Sequence, residues 1–278
     1  DLEIFQLNTS VDENINNKNT KLNKIKKHII DSKSELLIFA ENDYPFLVQN
    51  KNISEIQNLL KQDQVLIIGS TTKDKDNYFN SLLNITSNEV LHFDKKILVP
   101  FGEFIPLRKY FNFMDFVVGP NDFTEGKEKR LININDKINY IPVICYEIIF
   151  YWKLINNLNF KSNLIINITN DIWFGNYLGP YQHFYLAKLR AVEFNKKLVR
   201  VSNNGISGIF DENGKILSHI KLNKAKSQKY TLELSEKNNF FKLHNFFNLY
   251  FFIIVLILFI FNFRKKNSIN TYKKRLFG

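Results

Sequence analysis

Cys145, the single cysteine of this 278-residue chain, closes the apolar run "YIPVIC" at residues 140–145. A thiol attacks as thiolate, so it needs a base, and the carbonyl it attacks needs a cation or N–H donors to hold the oxyanion. Two other side chains stand at comparable places. Glu41 ends the run "LLIFAE", and Lys95 follows the strand-like segment 81–92 in "LHFDKKILVP". A carboxylate and an ammonium supply both needs, which groups Glu41, Lys95 and Cys145 around one candidate pocket. Each has a plainer use as well. A cysteine closing an apolar strand packs well, a glutamate there can be solvated, and most lysines are surface cations. His183 in "GPYQHF" offers a second arrangement, a Cys–His pair, which spacing alone leaves open. One cysteine forms no internal disulfide, and neither a Gly-rich phosphate loop nor a His/Cys metal spacing is present.

The elements that must position these residues follow from periodicity. With 45% hydrophobic and 15% aromatic residues the chain can fill a core, which excludes a disordered class. Strand-like runs occur at "LEIFQL", "ELLIFA" (35–40), "QVLIIGS" (64–70), "SLLNIT" (81–86), "YIPVIC", "NLIINIT" (163–169) and "LVRVSN" (198–203). Several are apolar throughout, the pattern of strands covered on both faces. Helical periodicity occupies 14–32, 52–62 and 180–197. This alternation predicts a layered α/β domain whose strand ends carry the chemistry. The irregular segment 102–130 reads as a loop or lid, and the polar stretch 222–243 as a linker.

Charge is uneven. Of the net +11, six positive charges lie in the last fifteen residues, from Arg264 to Arg275, with no acid among them. Just before them, residues 246–263 carry no charge and two asparagines only. A spanning helix needs ~20 mostly apolar residues, so this run reads as a membrane span and the basic tail as its cytoplasmic flank. A buried core helix is the alternative, though globular helices are seldom apolar on every face. The tail lacks aromatic interleaving and a folded basic face, so nucleic acid is not the expected partner.

The ordered motifs "AE" (40–41), "DKKILVPFGEFIP" (94–106), "ICYE" (144–147), "TNDIWFG" (169–175), "GPYQHF" (179–184) and "VSNNGISG" (201–208) resemble the nitrilase, or carbon–nitrogen hydrolase, superfamily. Within it the chain is most similar to the bacterial apolipoprotein N-acyltransferase family, for which "LVPFGEFIP" and "NDIWFG" are the specific signals. The resemblance implies an αββα sandwich with a Glu-Lys-Cys triad: Glu41 as general base, Lys95 as oxyanion cation and Cys145 as nucleophile. It adds Glu103 as a supporting acid, with Tyr146 and Glu147 supporting the nucleophile. Lys95 is preferred over Lys96 on the family spacing. The base motif there usually reads Trp-Pro-Glu, whereas this chain has "FAE" and lacks the rigid proline.

The implied reaction moves an acyl chain from a phospholipid to the N-terminal amine of a diacylglyceryl-modified apolipoprotein through a Cys145 thioester, with no metal or cofactor. The implied site is the bacterial inner membrane, with the catalytic domain periplasmic and the C-terminus cytoplasmic. The expected organisation is a catalytic domain over 1–221, a linker over 222–243, a transmembrane helix over 244–264 and a basic tail over 265–278. The upstream membrane helices of the family are not in this sequence, which reads as a C-terminal part. Two other functions fit the residues: a membrane-tethered amidase or nitrilase that uses water as acceptor, and an inactive nitrilase-like interaction module.

Overall fold

In the computed structural model, residues 1–49, 53–108, 121–135, 138–154, 161–234 and 250–263 are described. Two sheets carry the fold. The first is built from β1 (Leu2–Gln6), β2 (Leu36–Ile38), β3 (Val48–Gln49), β4 (Val65–Asp74), β5 (Asn77–Ile85), β6 (Val90–Asp94) and, from far along the chain, β13 (Lys226–Tyr230). Its order is β13-β1-β2-β4-β5-β6, with β3 on β4. The second contains β7 (Ile132–Asn133), β8 (Asn139–Ile144), β9 (Leu164–Thr169), β10 (Lys197–Ser202), β11 (Ser207–Phe210) and β12 (Ile216–Ile220), in the order β12-β11-β10-β9-β8-β7. The central pairs β1/β2, β2/β4, β8/β9 and β9/β10 are parallel.

Strand alternation sorts side chains into layers. In β2, Leu36 and Ile38 join Ile67, Ile144, Ile166 and Val199 in the core between the sheets. Leu37 and the following Phe39 point the other way, onto helix α2 (Lys18–Asp31), whose Leu22, Ile25 and Ile29 cover that face. The long helix Leu178–Phe194 lies against the second sheet, where its Phe184 ring sits 4.9 Å from that of Phe210. The layers are therefore helix, sheet, sheet, helix. Each fully buried Ile or Leu of this double core contributes about 1.5–3 kcal/mol, and Ile25→Ala would cost about 2–5 kcal/mol with the cavity it leaves.

Three boundaries differ from the sequence reading. Helicity over 14–32 is split into α1 (Val11–Asn16) and α2 by Asn17, which has φ −117° and ψ 39°. The 52–62 helix shrinks to one turn, α3 (Ser54–Gln57). The stretch read as a linker from 222 begins inside the domain, because Lys226–Tyr230 pairs antiparallel with β1. The chain divides into two units, Asp1–Lys237 and Asn238–Gly278. Of the second, a helix over 250–263 with exposed apolar side chains is described. Among the described residues no helix is long and apolar enough to cross a membrane. The remainder of the expected linker and span, residues 235–249 and 264, and the basic tail lie outside the described residues.

Candidate active site

Three strand ends deliver the three candidates to one place. Glu41 follows β2, Lys95 follows β6, and Cys145 follows β8 as the first residue of a 3-10 turn over Cys145–Ile149. They share a cavity of about 530 Å³ with Asn80, Glu103 and Tyr146. Two local features make this approach possible. A Cβ on Gly69 would stand 2.5 Å from the Glu41 Cα, so only glycine in β4 admits the Glu41 turn. Cys145 itself has φ 50°, a left-handed conformation that costs a non-glycine residue about 1–2 kcal/mol, a strain common at functional turns.

The polar groups are tightly interlinked. Lys95 Nζ lies 2.8 Å from Glu103 Oε2 and 3.8 Å from Glu41 Oε1. Asn80 Nδ2 donates to both carboxylates, at 2.7 Å each. Glu41 Oε2 accepts the backbone N–H of Asn170 at 2.8 Å, which ties the first sheet to the loop after β9. All of these side chains are buried. Burial raises the Glu41 carboxyl above the usual carboxylate range, with the Lys95 charge pulling against it. Burial works against the Lys95 ammonium, yet the facing Cys145, Glu41 and Glu103 outweigh it and hold its pKa above the ordinary value. Burial and the Glu41 charge push the Cys145 thiol up to about 12, against the pull of Lys95. The consequence is a permanent cation beside a thiol that stays protonated until a neighbouring base takes its proton. A carboxylate of raised pKa is suited to that transfer.

Two buried ionic clusters fix the backbone around this centre. Glu147, fully buried, accepts the backbone N–H groups of Lys96, Ile97 and Ile144 at 2.9, 3.1 and 2.9 Å, and binds both terminal nitrogens of Arg130 at 2.8 and 2.7 Å. It thereby fastens the Lys95 loop to the Cys145 turn. Behind the turn, Asp171 accepts from Arg200 at 2.6 Å and meets His183 Nδ1 at 2.8 Å, while His183 Nε2 meets the Cys145 carbonyl at 3.3 Å. His183 therefore engages the main chain of Cys145, not its sulfur, which removes the geometric basis for a Cys–His pair.

Lys96 turns away, with Nζ donating to the Glu128 carbonyl at 2.8 Å. The Tyr146 ring packs 5.5 Å from His183 and 5.9 Å from Phe174. Asn80 and Arg130 escaped the sequence reading. Arg130 sits in a basic, irregular stretch that carries no partner signal, and Asn80 is one of many asparagines. Arg200 did carry one, since a cation inside the apolar run "LVRVSN" requires a buried partner. His92, Asp94 and Glu128, which line a separate cavity, could hold a metal ion, their ligand atoms lying within 4.8 Å of one another.

Residues 25–235 match the carbon-nitrogen hydrolase family, and the chain belongs to that family. It is 35% identical over 214 residues to an apolipoprotein N-acyltransferase of Allorhizobium ampelinum, a match covering 72% of this chain and 40% of that protein. It is likewise 35% identical over 209 residues to one of Wigglesworthia glossinidia brevipalpis, covering 71% and 42%. The chain thus spans about two fifths of the length of these curated relatives. Among solved structures, a glutamine-dependent NAD+ synthetase from Acinetobacter baumannii superposes with a TM-score of 0.60 at 18% identity, over 82% of this chain and 44% of that one, which attests the shared nitrilase-like fold.

Proposed function

We propose that this chain carries the catalytic part of an apolipoprotein N-acyltransferase, with Glu41, Lys95 and Cys145 as its triad. The observation that carries the reading is the one cavity where a buried carboxylate and a buried ammonium face the chain's only thiol, in a chain 35% identical to proteins of that name. Glu41 accepts the thiol proton, and the thiolate adds to an ester carbonyl of a phospholipid. Lys95 and the backbone N–H of Tyr146 hold the oxyanion. Collapse breaks the ester C–O bond, and the proton on Glu41 passes to the departing lysophospholipid oxygen, leaving an acyl thioester on Cys145. The amine of a diacylglyceryl-cysteinyl N-terminus then attacks the thioester. Its proton goes to Glu41, and the released thiolate is reprotonated.

Both substrates are lipids, which accords with a span over 244–264, a periplasmic catalytic domain joined to it by a short link after 234, and a cytoplasmic tail over 265–278 in the bacterial inner membrane. The uncharged 246–263 run and its basic flank support that topology. The test is intact-mass analysis of the full-length protein in membranes. With phospholipid alone, Cys145 should gain an acyl mass, and a diacylglyceryl-cysteinyl peptide should discharge it and appear N-acylated, whereas an amine-blocked peptide should not. Rapid release of free fatty acid with no dependence on the amine would overturn the transferase reading in favour of a hydrolase.

A further inference from the structure

We propose that Lys21 and Asp43, neither of which lines the catalytic cavity, are positioning residues that lock the turn carrying Glu41. The inference rests on the reading of Glu41 as the base. Asp43 Oδ2 accepts the backbone N–H of Ala40 at 2.8 Å, one residue before Glu41. Lys21 Nζ stands 3.2 Å from Asp43 Oδ1 and donates to the Asn42 carbonyl at 3.0 Å, one residue after it. The two side chains are 2% and 0% exposed. The peptide groups on both sides of Glu41 are therefore clamped by one buried ion pair that reaches from helix α2. Asn42, at φ 55°, takes the left-handed conformation that the reversal demands and that asparagine tolerates.

The clamp matches a local change in sequence. In the Trp-Pro-Glu form of this motif the residue before the glutamate is proline, which has no N–H and presets its own φ. Here Ala40 is fully buried and its N–H must find an acceptor. Asp43 provides it, and a carboxylate in that place needs a cation, which Lys21 provides. A buried ion pair is an expensive way to gain stability, since apolar side chains of similar volume do as well or better. Its use here is accounted for by direction: Glu41 must reach Asn80, the Asn170 N–H and the thiol at once, and misplacement by about 1 Å can cost on the order of 100-fold in rate.

The experiment measures alkylation of Cys145 by iodoacetamide across pH in the full-length protein, read by intact mass, with a thermal melt on each variant. The thiolate sulfur displaces iodide, so the rate reports proton removal without needing a lipid substrate. Glu41→Gln should move the rise in rate to lower pH, because the carboxylate charge that holds the thiol up is gone. Lys21→Met and Asp43→Ala, which free the turn and let the Glu41 carboxylate leave the thiol, should move it the same way by a smaller interval. Asp43→Asn should fall between wild type and Asp43→Ala, because its carboxamide oxygen still accepts the Ala40 N–H while Lys21 loses its counter-charge. Wild-type profiles for Lys21→Met and Asp43→Ala, alongside a shifted Glu41→Gln, would overturn the clamp and leave the base assignment standing. An unshifted Glu41→Gln would overturn the base assignment and the clamp with it. If Asp43→Ala does not fold, Lys21→Met decides the matter, and a wild-type profile for it would overturn the clamp.

Discussion

Replacing Glu147 with glutamine isolates the contact that joins the Lys95 loop to the Cys145 turn. The wild-type carboxylate accepts five hydrogen bonds, three at Oε1 and two at Oε2. In the better of its two orientations the carboxamide oxygen replaces Oε1. The amide NH₂ then faces the Ile144 N–H and an Arg130 nitrogen, so two bonds become donor-to-donor contacts. Arg130, 2% exposed, also loses its counter-charge. Removing one partner of such a buried pair costs about 3–5 kcal/mol. For a domain of this size that lowers Tm by about 6–20 °C. Adding Arg130→Met removes the stranded cation and should recover part of the loss, because the two sites are directly coupled. Burial opposes ionisation of Glu147, but Arg130 outweighs it and holds the carboxyl below its ordinary range. A depressed carboxyl contributes its stability above the unfolded pKa and loses it as pH falls through the folded one, so the gap between wild type and variant should narrow in acid. Thermal melts by circular dichroism from neutral pH down to the acid range provide the measurement. A Glu147→Gln protein melting within about 2 °C of wild type at neutral pH, well short of the drop expected from the pair, would refute this account of what holds the two loops together.

Other outcomes follow from the same geometry. Lys95→Ala should reduce acyl-enzyme formation by about 10²–10³-fold, the effect of losing one oxyanion donor, while Lys96→Ala remains near wild type; equal rates for the two variants in an intact-mass time course would reverse the assignment. Because burial raises the Glu41 carboxyl, the rate of Cys145 acylation should fall as pH drops through a value above the ordinary carboxylate range, and Glu41→Gln should abolish that limb; a limb that persists in Glu41→Gln belongs to another group. Cys145→Ala should form no adduct and Cys145→Ser very little, since a serine hydroxyl ionises far less readily than a thiol, as acyl-mass measurement of each will register. Protein released intact from membranes by carbonate would exclude the proposed span over 244–264, whereas retention, with protease digestion of the catalytic domain in spheroplasts, is expected.

Sequence alone determined the elements whose environment is uniform along their length. The runs that became β2, β4 and β8 are apolar on both faces, a pattern that fits strands packed between layers, and helix α2 shows its Leu22, Ile25 and Ile29 stripe directly. The motif wording also singled out Glu41, Lys95, Glu103 and Cys145, all of which line one cavity. Strand β13 was illegible because "KSQKY" is polar: as an edge strand it pairs with β1 on one side only, and backbone hydrogen bonding requires no apolar side chain. The single turn at Ser54–Gln57 shows the reverse, an apolar spacing that serves a loop packing Ile53 and Ile56 into the core. The clamps around the site were beyond any local pattern. Glu147 and Arg130 are 17 residues apart, Lys21 and Asn42 are 21 apart, and Glu41 reaches the Asn170 amide across 129 residues. Such polar groups reveal their roles only when the sheets stack and deny them water, because burial is what turns an ordinary glutamate or lysine into one that must find a partner.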